Sequence, residues 1–172
     1  MRVSQLMIED VATCCARDSL EDAAATMWDR DVGCLPVIDP TTRRVVGILT
    51  DRDICMSAYA RNERLASLPV TLAMAHQVTT CRADDTIEEA LCIMTRDRVR
   101  RVPVLDDLGR VIGVVSIDDI AAGCMRTAEI WPGEVIATLA AVARTGVVRR
   151  DQEDTIPGGL RALRRASADP AR

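Results

Sequence analysis

The sequence predicts an α+β fold built from two copies of one β-α-β-β-α unit. Three observations support this: the segment from Val3 through Cys55 aligns with that from Val70 through Ala121, each copy has one amphipathic helix pattern, and each has short apolar runs typical of strands. One copy alone has too little apolar surface for a stable core. We therefore expect the two copies to pack face to face.

The composition indicates a globular chain without a membrane segment. It has 172 residues, 48% hydrophobic residues and a formal net charge of −4, enough for one domain or two small ones sharing a core. The longest apolar stretch, Val135 to Ala143, is far shorter than the roughly 20 residues that span a bilayer. Glu9 and Asp10 stand where a signal peptide needs an apolar run. We expect a cytoplasmic protein.

The first helix of each copy is predicted by a start signal and by apolar spacing. Ser19 and Thr86 are each followed three residues later by an acid, Asp22 or Glu89. This is the capping-box pattern, in which a hydroxyl and a carboxylate satisfy free backbone N–H groups. Each helix should have one core-facing side. Its apolar residues recur at i, i+3, i+4 and i+7, as Leu20, Ala23, Ala24 and Met27 and as Ile87, Ala90, Leu91 and Met94.

Two strands and a second helix complete each copy. Apolar runs containing Pro36 and Pro103 suit a strand beginning or a sheet edge. After a polar turn, the runs VVGIL and RVIGVV suit a further strand, and each leads into a helix that starts near Asp51 or Ile117. The predicted division is repeat 1 at 1–58, a linker at 59–69 and repeat 2 at 70–125.

Beyond the second copy the sequence predicts one more helix and a tail. Pro132 near the start and a glycine just past the end indicate a helix within 126–146. Its apolar face, with Trp131 beside it, should cover the module or lie in a dimer interface. Residues 147–172 mix charge, Gly and Pro without sustained periodicity, so a flexible tail is expected, with one weak helical turn at most, at 160–165.

Several chemistries are disfavoured by the residue types present. The seven cysteines form no C-x-x-C pair and His76 is the only histidine, which argues against a metal site and against a serine or cysteine nucleophile with a histidine base. We predict no catalytic residue, no metal and no required cofactor. Cys14, Cys15 and Cys81 should be buried reduced thiols, redox-sensitive only if exposed. Acids among the tail arginines and 2% aromatic residues disfavour nucleic acid.

Both copies carry one composite pattern: V-x-x-x-M, V-x-T, D-[S/T]-hydrophobic-E, hydrophobic-P-V, and G followed by two hydrophobic residues and [ST]-x-x-D. Over about residues 1–125 the sequence thereby resembles the CBS domains, named for cystathionine β-synthase. The matching positions are Val3, Met7, Thr13, Ser19, Leu35-Pro36-Val37, Gly47, Thr50 and Asp53, and again Val70, Met74, Thr80, Thr86, Val102-Pro103-Val104, Gly113, Ser116 and Asp119.

The resemblance implies a stand-alone tandem pair, or Bateman module, that is not itself an enzyme. Such pairs form a pseudo-twofold module with two clefts, and two modules commonly associate as a flat homodimer. Many bind adenine nucleotides or S-adenosylmethionine, with the [ST]-x-x-D aspartate at the ribose hydroxyls and the Ser or Thr near the phosphate. The resemblance therefore implies a sensor whose ligand is AMP, ADP or ATP, acting through an effector protein or through the dimer.

The resemblance also implies where the ligand would lie, because each cleft combines the [ST]-x-x-D of one repeat with the first strand and pre-proline strand of the other. The first cleft should offer two guanidinium groups to a phosphate. The second, with an uncharged lining, should take adenosine-like or other neutral groups or remain empty. The predicted first-cleft residues are Ile48, Thr50, Asp53, Thr79, Val99, Arg100 and Arg101; those of the second, weaker cleft are Ala12, Val32, Gly33, Cys34, Ser116 and Asp119.

A reading without any ligand also fits these residues. Thr50 with Asp53, like Ser116 with Asp119, forms a capping box worth about 1 kcal/mol on its own. The arginines before Pro103 could equally be a solvated strand end, paired with nearby aspartates. Three functions stay open at this point: an adenine-nucleotide sensor, a binder of S-adenosylmethionine or NAD, and a ligand-free protein-interaction or stress-response module.

Overall fold

The computed structural model describes residues 1–143 and contains the predicted repeat. Repeat 1 consists of β1 (Cys14–Cys15), α1 (Leu20–Asp29), β2 (Cys34–Ile38), β3 (Val45–Thr50) and α2 (Asp51–Arg61). Repeat 2 consists of β4 (Cys81–Arg82), α3 (Ile87–Asp97), β5 (Arg101–Leu105), β6 (Val111–Ser116) and α4 (Ile117–Cys124), and α5 (Pro132–Ala143) follows. Short 3-10 turns occupy Val3–Gln5, Leu65–Ser67 and Val70–Leu72.

The two sheets have the same topology and register. Their strand orders are β1-β2-β3 and β4-β5-β6, with a parallel first pair and an antiparallel second pair. Cys34 lies opposite Thr50, and Arg101 lies opposite Ser116. Because aligned residues occupy aligned positions, the predicted α+β fold of two β-α-β-β-α units is confirmed.

The segment before each repeat's first strand crosses to the sheet of the other repeat. Val3 is fully buried in the core of repeat 2, and Val70 is fully buried in that of repeat 1. Ile8 pairs with Val114 on β6 through N···O distances of 2.9 and 3.0 Å, and the aligned bridge joins Ala75 to β3. This exchange ties the repeats together and brings the first strand of one beside the [ST]-x-x-D of the other.

The glycine and methionine of the family pattern meet at this crossing. A Cβ added at Gly113 would lie 2.6 Å from the sulfur of Met7, and one added at Gly47 would lie 2.7 Å from the sulfur of Met74. Real Cβ atoms do not approach a neighbour that closely, so a larger residue at either glycine would require the methionine side chain to shift. The two motifs are therefore one contact, made twice.

Helix α5 packs on α3 and α4, burying Val135, Thr138 and Val142 on repeat 2. The prediction that this helix covers the module is confirmed for that face, while Ile136 and Leu139 remain exposed. The remaining predictions, for the flexible tail at 147–172 with its turn at 160–165 and for the helix end beyond Ala143, lie outside the described residues. No helix within residues 1–143 is long and apolar enough to cross a membrane.

The predicted linker at 59–69 is partly ordered structure. Helix α2 continues to Arg61, a 3-10 turn covers Leu65–Ser67, and Leu68 is buried. The carbonyl of Leu68 accepts the N–H of Leu20 at 2.8 Å, at the start of α1. The connection therefore packs on repeat 1 because its leucines complete the apolar core there.

Candidate functional site

Each [ST]-x-x-D pair forms a complete capping box at the start of a helix. In α4, the Ser116 hydroxyl and N–H donate to Oδ2 of Asp119 at 2.5 and 2.9 Å, and the Asp119 N–H donates back to the hydroxyl at 3.1 Å. Thr50 and Asp53 make the same three bonds at the start of α2. The predicted cap role is confirmed for both pairs. In each, the second carboxylate oxygen takes no part in the cap.

The structure places most predicted second-cleft residues around one cavity of about 250 Å³. Ser116 and Asp119 enter it from the start of α4, and the segments before β1 and β2 of the other repeat supply the opposite wall. Gly33 does not line this cavity but a neighbouring groove. The predicted residues that line the cavity are Ala12, Val32, Cys34, Ser116 and Asp119.

The second cleft carries charge, and the prediction of an uncharged lining was wrong. Three further carboxylates, of Asp10, Asp31 and Asp118, line it with Asp119, and Arg101 is the one basic residue in its lining. Arg101 was predicted for the first cleft. It lies in the second because the start of β5 is paired with Ser116, and its Nη2 lies 3.9 Å from Oδ2 of Asp118.

Two cavity residues that were not predicted are neighbours in the sequence of residues that were. Asp118 is the residue directly before Asp119, and Asp31 directly precedes Val32, so both adjoin predicted positions. Ile8 and Val114, also missed, line the cavity because the crossing segment pairs with β6 there. The sequence neighbours of the predicted positions thus include these aspartates, whereas the pairing of Ile8 with Val114 depends on how the two repeats pack.

Four of the predicted first-cleft residues make hydrogen bonds or packing contacts within the protein. Ile48 on β3 exchanges backbone hydrogen bonds with Ala75 at 3.0 and 2.8 Å. The Thr79 hydroxyl donates to Asp97 at 2.9 Å rather than standing free for a ligand. The Arg100 carbonyl accepts the N–H of Ile117 at 3.0 Å, so its backbone belongs to the start of α4. Val99 is half-buried and packs against the core of repeat 2.

The ionisable groups near the clefts have displaced pKa values with identifiable causes. Hydrogen bonds from Arg96 and then Thr79 lower the pKa of Asp97 to about 2. Burial raises the pKa of Cys34, against an opposing effect of nearby Arg101. Burial also raises the pKa of Cys14 and of Cys81 to about 12, so these two thiols are protonated and unreactive at neutral pH. Cys15 is half-buried and free.

The part of the chain that the structure describes has no ready set of metal ligands. Residues 1–143 contain no group of three or more His, Cys, Asp or Glu side chains placed to hold a metal ion.

The sequence and the fold of this chain are similar to those of known proteins. A family model described as the CBS domain matches twice, at residues 3–58 and 65–125. The uncharacterized protein YlbB of Bacillus subtilis is 31% identical over 120 residues, which are 70% of this chain and 80% of YlbB. The solved CBS domain pair of MJ0100, in complex with 5′-methylthioadenosine and S-adenosyl-L-methionine, is 27% identical with a TM-score of 0.64, covering 72% of this chain and 99% of that one.

Some relatives are enzymes of which this chain matches only a part. Homoserine O-acetyltransferase of Methanohalobium evestigatum is 34% identical over 119 residues, which are 69% of this chain but 23% of the enzyme. The similarity therefore extends to a region of that protein and not to the whole of it. With two family matches, two identical sheets and two crossed repeats, the chain belongs to the CBS domain family and forms a CBS pair, a regulatory module.

Proposed function

We propose that the second cleft binds an adenosine-containing ligand whose tail is neutral or positively charged, such as 5′-methylthioadenosine or S-adenosylmethionine. The observation that carries the proposal is the lining of the cavity, in which four carboxylates accompany the single guanidinium of Arg101. Such a lining repels a polyphosphate and attracts a sulfonium or ammonium group. The complex of MJ0100 with these two compounds supports the same ligand class.

The shape and chemistry of the cleft support an adenosine group in particular. Asp119 keeps one carboxylate oxygen outside its cap, and a carboxylate can accept both hydroxyls of a ribose. Ile8, Val11 and Val114 supply apolar surface for a flat base. The cap and a ligand contact can therefore coexist at Asp119, which removes the conflict between the two readings of the motif.

A second candidate is an adenine nucleotide, AMP, ADP or ATP, in the first cleft. The support for this candidate is that the first-cleft positions aligned with three acids of the second cleft hold one glutamine and two arginines. The start of α2 has the same cap as the start of α4, and Arg100, which the family resemblance assigns to the first cleft, is exposed. Basic side chains there would favour a phosphate, alongside the N–H groups at the start of α2. The aligned pairs are Asp10 with Gln77, Asp31 with Arg98 and Asp118 with Arg52.

Calorimetric titration of the full chain with S-adenosylmethionine, 5′-methylthioadenosine, AMP and ATP tests both candidates. The matched variants are Asp119→Asn and Asp53→Asn, which alter the same cap in the two repeats. We expect Asp119→Asn to weaken the first two ligands at least about tenfold, or about 1.4 kcal/mol, and Asp53→Asn to leave them unchanged. For AMP the expected pattern is the reverse.

The opposite result has a defined meaning. If wild type binds none of the four compounds while each variant loses about 1 kcal/mol of stability, the motifs are caps only. The protein would then be the ligand-free interaction or stress-response module. Binding that both variants weaken equally would contradict the assignment of ligands to separate clefts.

We also propose that the module works as a cytoplasmic homodimer that passes its signal to an effector protein. All seven cysteines are free thiols, as expected in a reducing compartment. The outer face of α5 exposes Ile136 and Leu139, which a second copy could cover. Light scattering of wild type and Ile136→Glu tests the dimer: a monomeric wild type would overturn it.

A further inference from the structure

The helical faces of the two repeats differ in what covers them. In repeat 2, α5 lies across α3 and α4, where the hydroxyl of Thr95 bonds to Thr138 of α5 at 3.1 Å. The position aligned with Thr95 in repeat 1 is Trp28, which is 86% exposed, and Tyr59 on α2 is 69% exposed. The surface that α5 covers in one repeat is open to solvent in the other.

A groove of about 480 Å³ lies on this open face, between α1 and α2. Met27 and Ile54, both nearly buried, line its interior, and Trp28 forms a wall. The carboxylates of Asp31 and Asp51 also line it. An occupant that suits this lining carries apolar side chains next to basic ones.

Arg101 also lines the groove, so its charge has to be considered. One guanidinium nitrogen lies 3.9 Å from Asp118, in the second cleft. The groove lining therefore has two carboxylates against one guanidinium that is already engaged with another acid. The balance still favours a basic occupant.

Charge complementarity separates two candidate occupants. The outer face of α5 from a second copy is apolar, but the charged residue within α5 is Glu134, of the same sign as the groove aspartates. Residues 160–165, with the sequence LRALRR, lie outside the described part of the chain and combine two leucines with three arginines. Among segments of this chain, 160–165 matches the groove in both polarity and charge.

The segment can reach the groove of its own chain. Residues 144–159 separate the end of α5 from Leu160, and a connection of that length can extend to about 55 Å. A compact domain of this size is only about 40 Å across. A covalent connection of this length gives an effective concentration on the order of 1 mM, so even a contact with a Kd of about 1 mM would be about half formed.

We propose that residues 160–165 dock in the groove between α1 and α2 of the same chain. The leucines contact the apolar lining beside Trp28, and the arginines face Asp31 and Asp51. The contact covers in repeat 1 the surface that α5 covers in repeat 2. The proposal is independent of which ligand the clefts bind.

The test is acrylamide quenching of Trp28 fluorescence in the full chain. A Trp131→Phe background leaves Trp28 as the sole tryptophan. In this background, Arg164→Glu with Arg165→Glu should raise the quenching constant about twofold, since half-formed docking is lost. The matched control, Arg149→Glu with Arg150→Glu, makes the same charge change in another arginine pair and should leave it unchanged.

A variant of the groove lining tests the same contact from the other side. Asp31→Asn with Asp51→Asn should raise quenching as the tail variant does, and asparagine suits the positive φ of 50° at Asp31. Equal quenching in the background, tail and groove variants would overturn the proposal. Quenching that falls as protein concentration rises from about 1 to 100 μM would assign the segment to a second copy and overturn docking within one chain.

Discussion

The two [ST]-x-x-D sites of the pair share one cap geometry and differ in the charge around it. The second is surrounded by aspartates, and the aligned positions of the first hold glutamine and arginines. The backbone that creates a helix start beside a crossing strand is thus common to both. The side chains next to it differ, which teaches that a duplicated fold can keep its framework while the surroundings of the two caps diverge.

The helical faces show the same divergence at the level of packing. One face is closed by α5 and the other carries an open groove. The groove shares Asp31, Val32 and Arg101 with the second cleft. A substitution at any of these three residues therefore alters the lining of both surfaces.

The largest expected difference between the repeats is in stability. Met94 is fully buried on α3, which α5 covers, and the aligned Met27 is 6% exposed and lines the groove. Met94→Ala should cost about 4 kcal/mol, because it leaves a closed cavity, and Met27→Ala about 2 kcal/mol, because the open groove can relax. Urea unfolding measures both; equal losses would mean that α5 does not seal repeat 2.

A smaller effect is expected when the charge of the second cleft is changed to that of the first. Asp31→Arg with Asp118→Arg should weaken S-adenosylmethionine at least about tenfold, or about 1.4 kcal/mol, because a cationic ligand then meets like charge. Arginine is tolerated at position 31, since the aligned Arg98 has a φ of 56° against 50° for Asp31.

The matched control for this charge change lies outside both clefts. Glu63→Arg with Glu88→Arg alters two exposed acids by the same total charge. Titration calorimetry should show that this control variant binds S-adenosylmethionine with unchanged affinity. If the control weakens binding as much as the cleft variant, overall charge and not the cleft lining selects the ligand.

The smallest expected effect compares the two caps. Ser116→Ala and Thr50→Ala each remove a hydroxyl that accepts a backbone N–H, at a cost of about 1 kcal/mol. Ser116 is the more buried of the two, so its loss should be the larger by a few tenths of a kcal/mol. Thermal unfolding compares them. A greater loss at Thr50 would show that burial does not govern the strength of these caps.

Local rules predicted the elements of this protein well. The four capping boxes and the helix stripes depend on residues within a few positions of one another, such as Ser19 with Asp22. The family resemblance, and not these local rules, predicted Ala12, Val32 and Cys34 beside Ser116. It did not predict Arg101 there, although Arg101 lies opposite Ser116 in the antiparallel pair of β5 and β6.

The sequence by itself determined the duplicated unit, its caps and the residue types available at each cleft, because these depend on periodicity and short spacing. Only the tertiary structure decided which charges face which cavity. The crossing of Ile8 onto β6, the pairing of Arg101 with Ser116 and the closure of one helical face by α5 join residues far apart in the chain. Such contacts depend on how the two repeats pack, which no local pattern specifies.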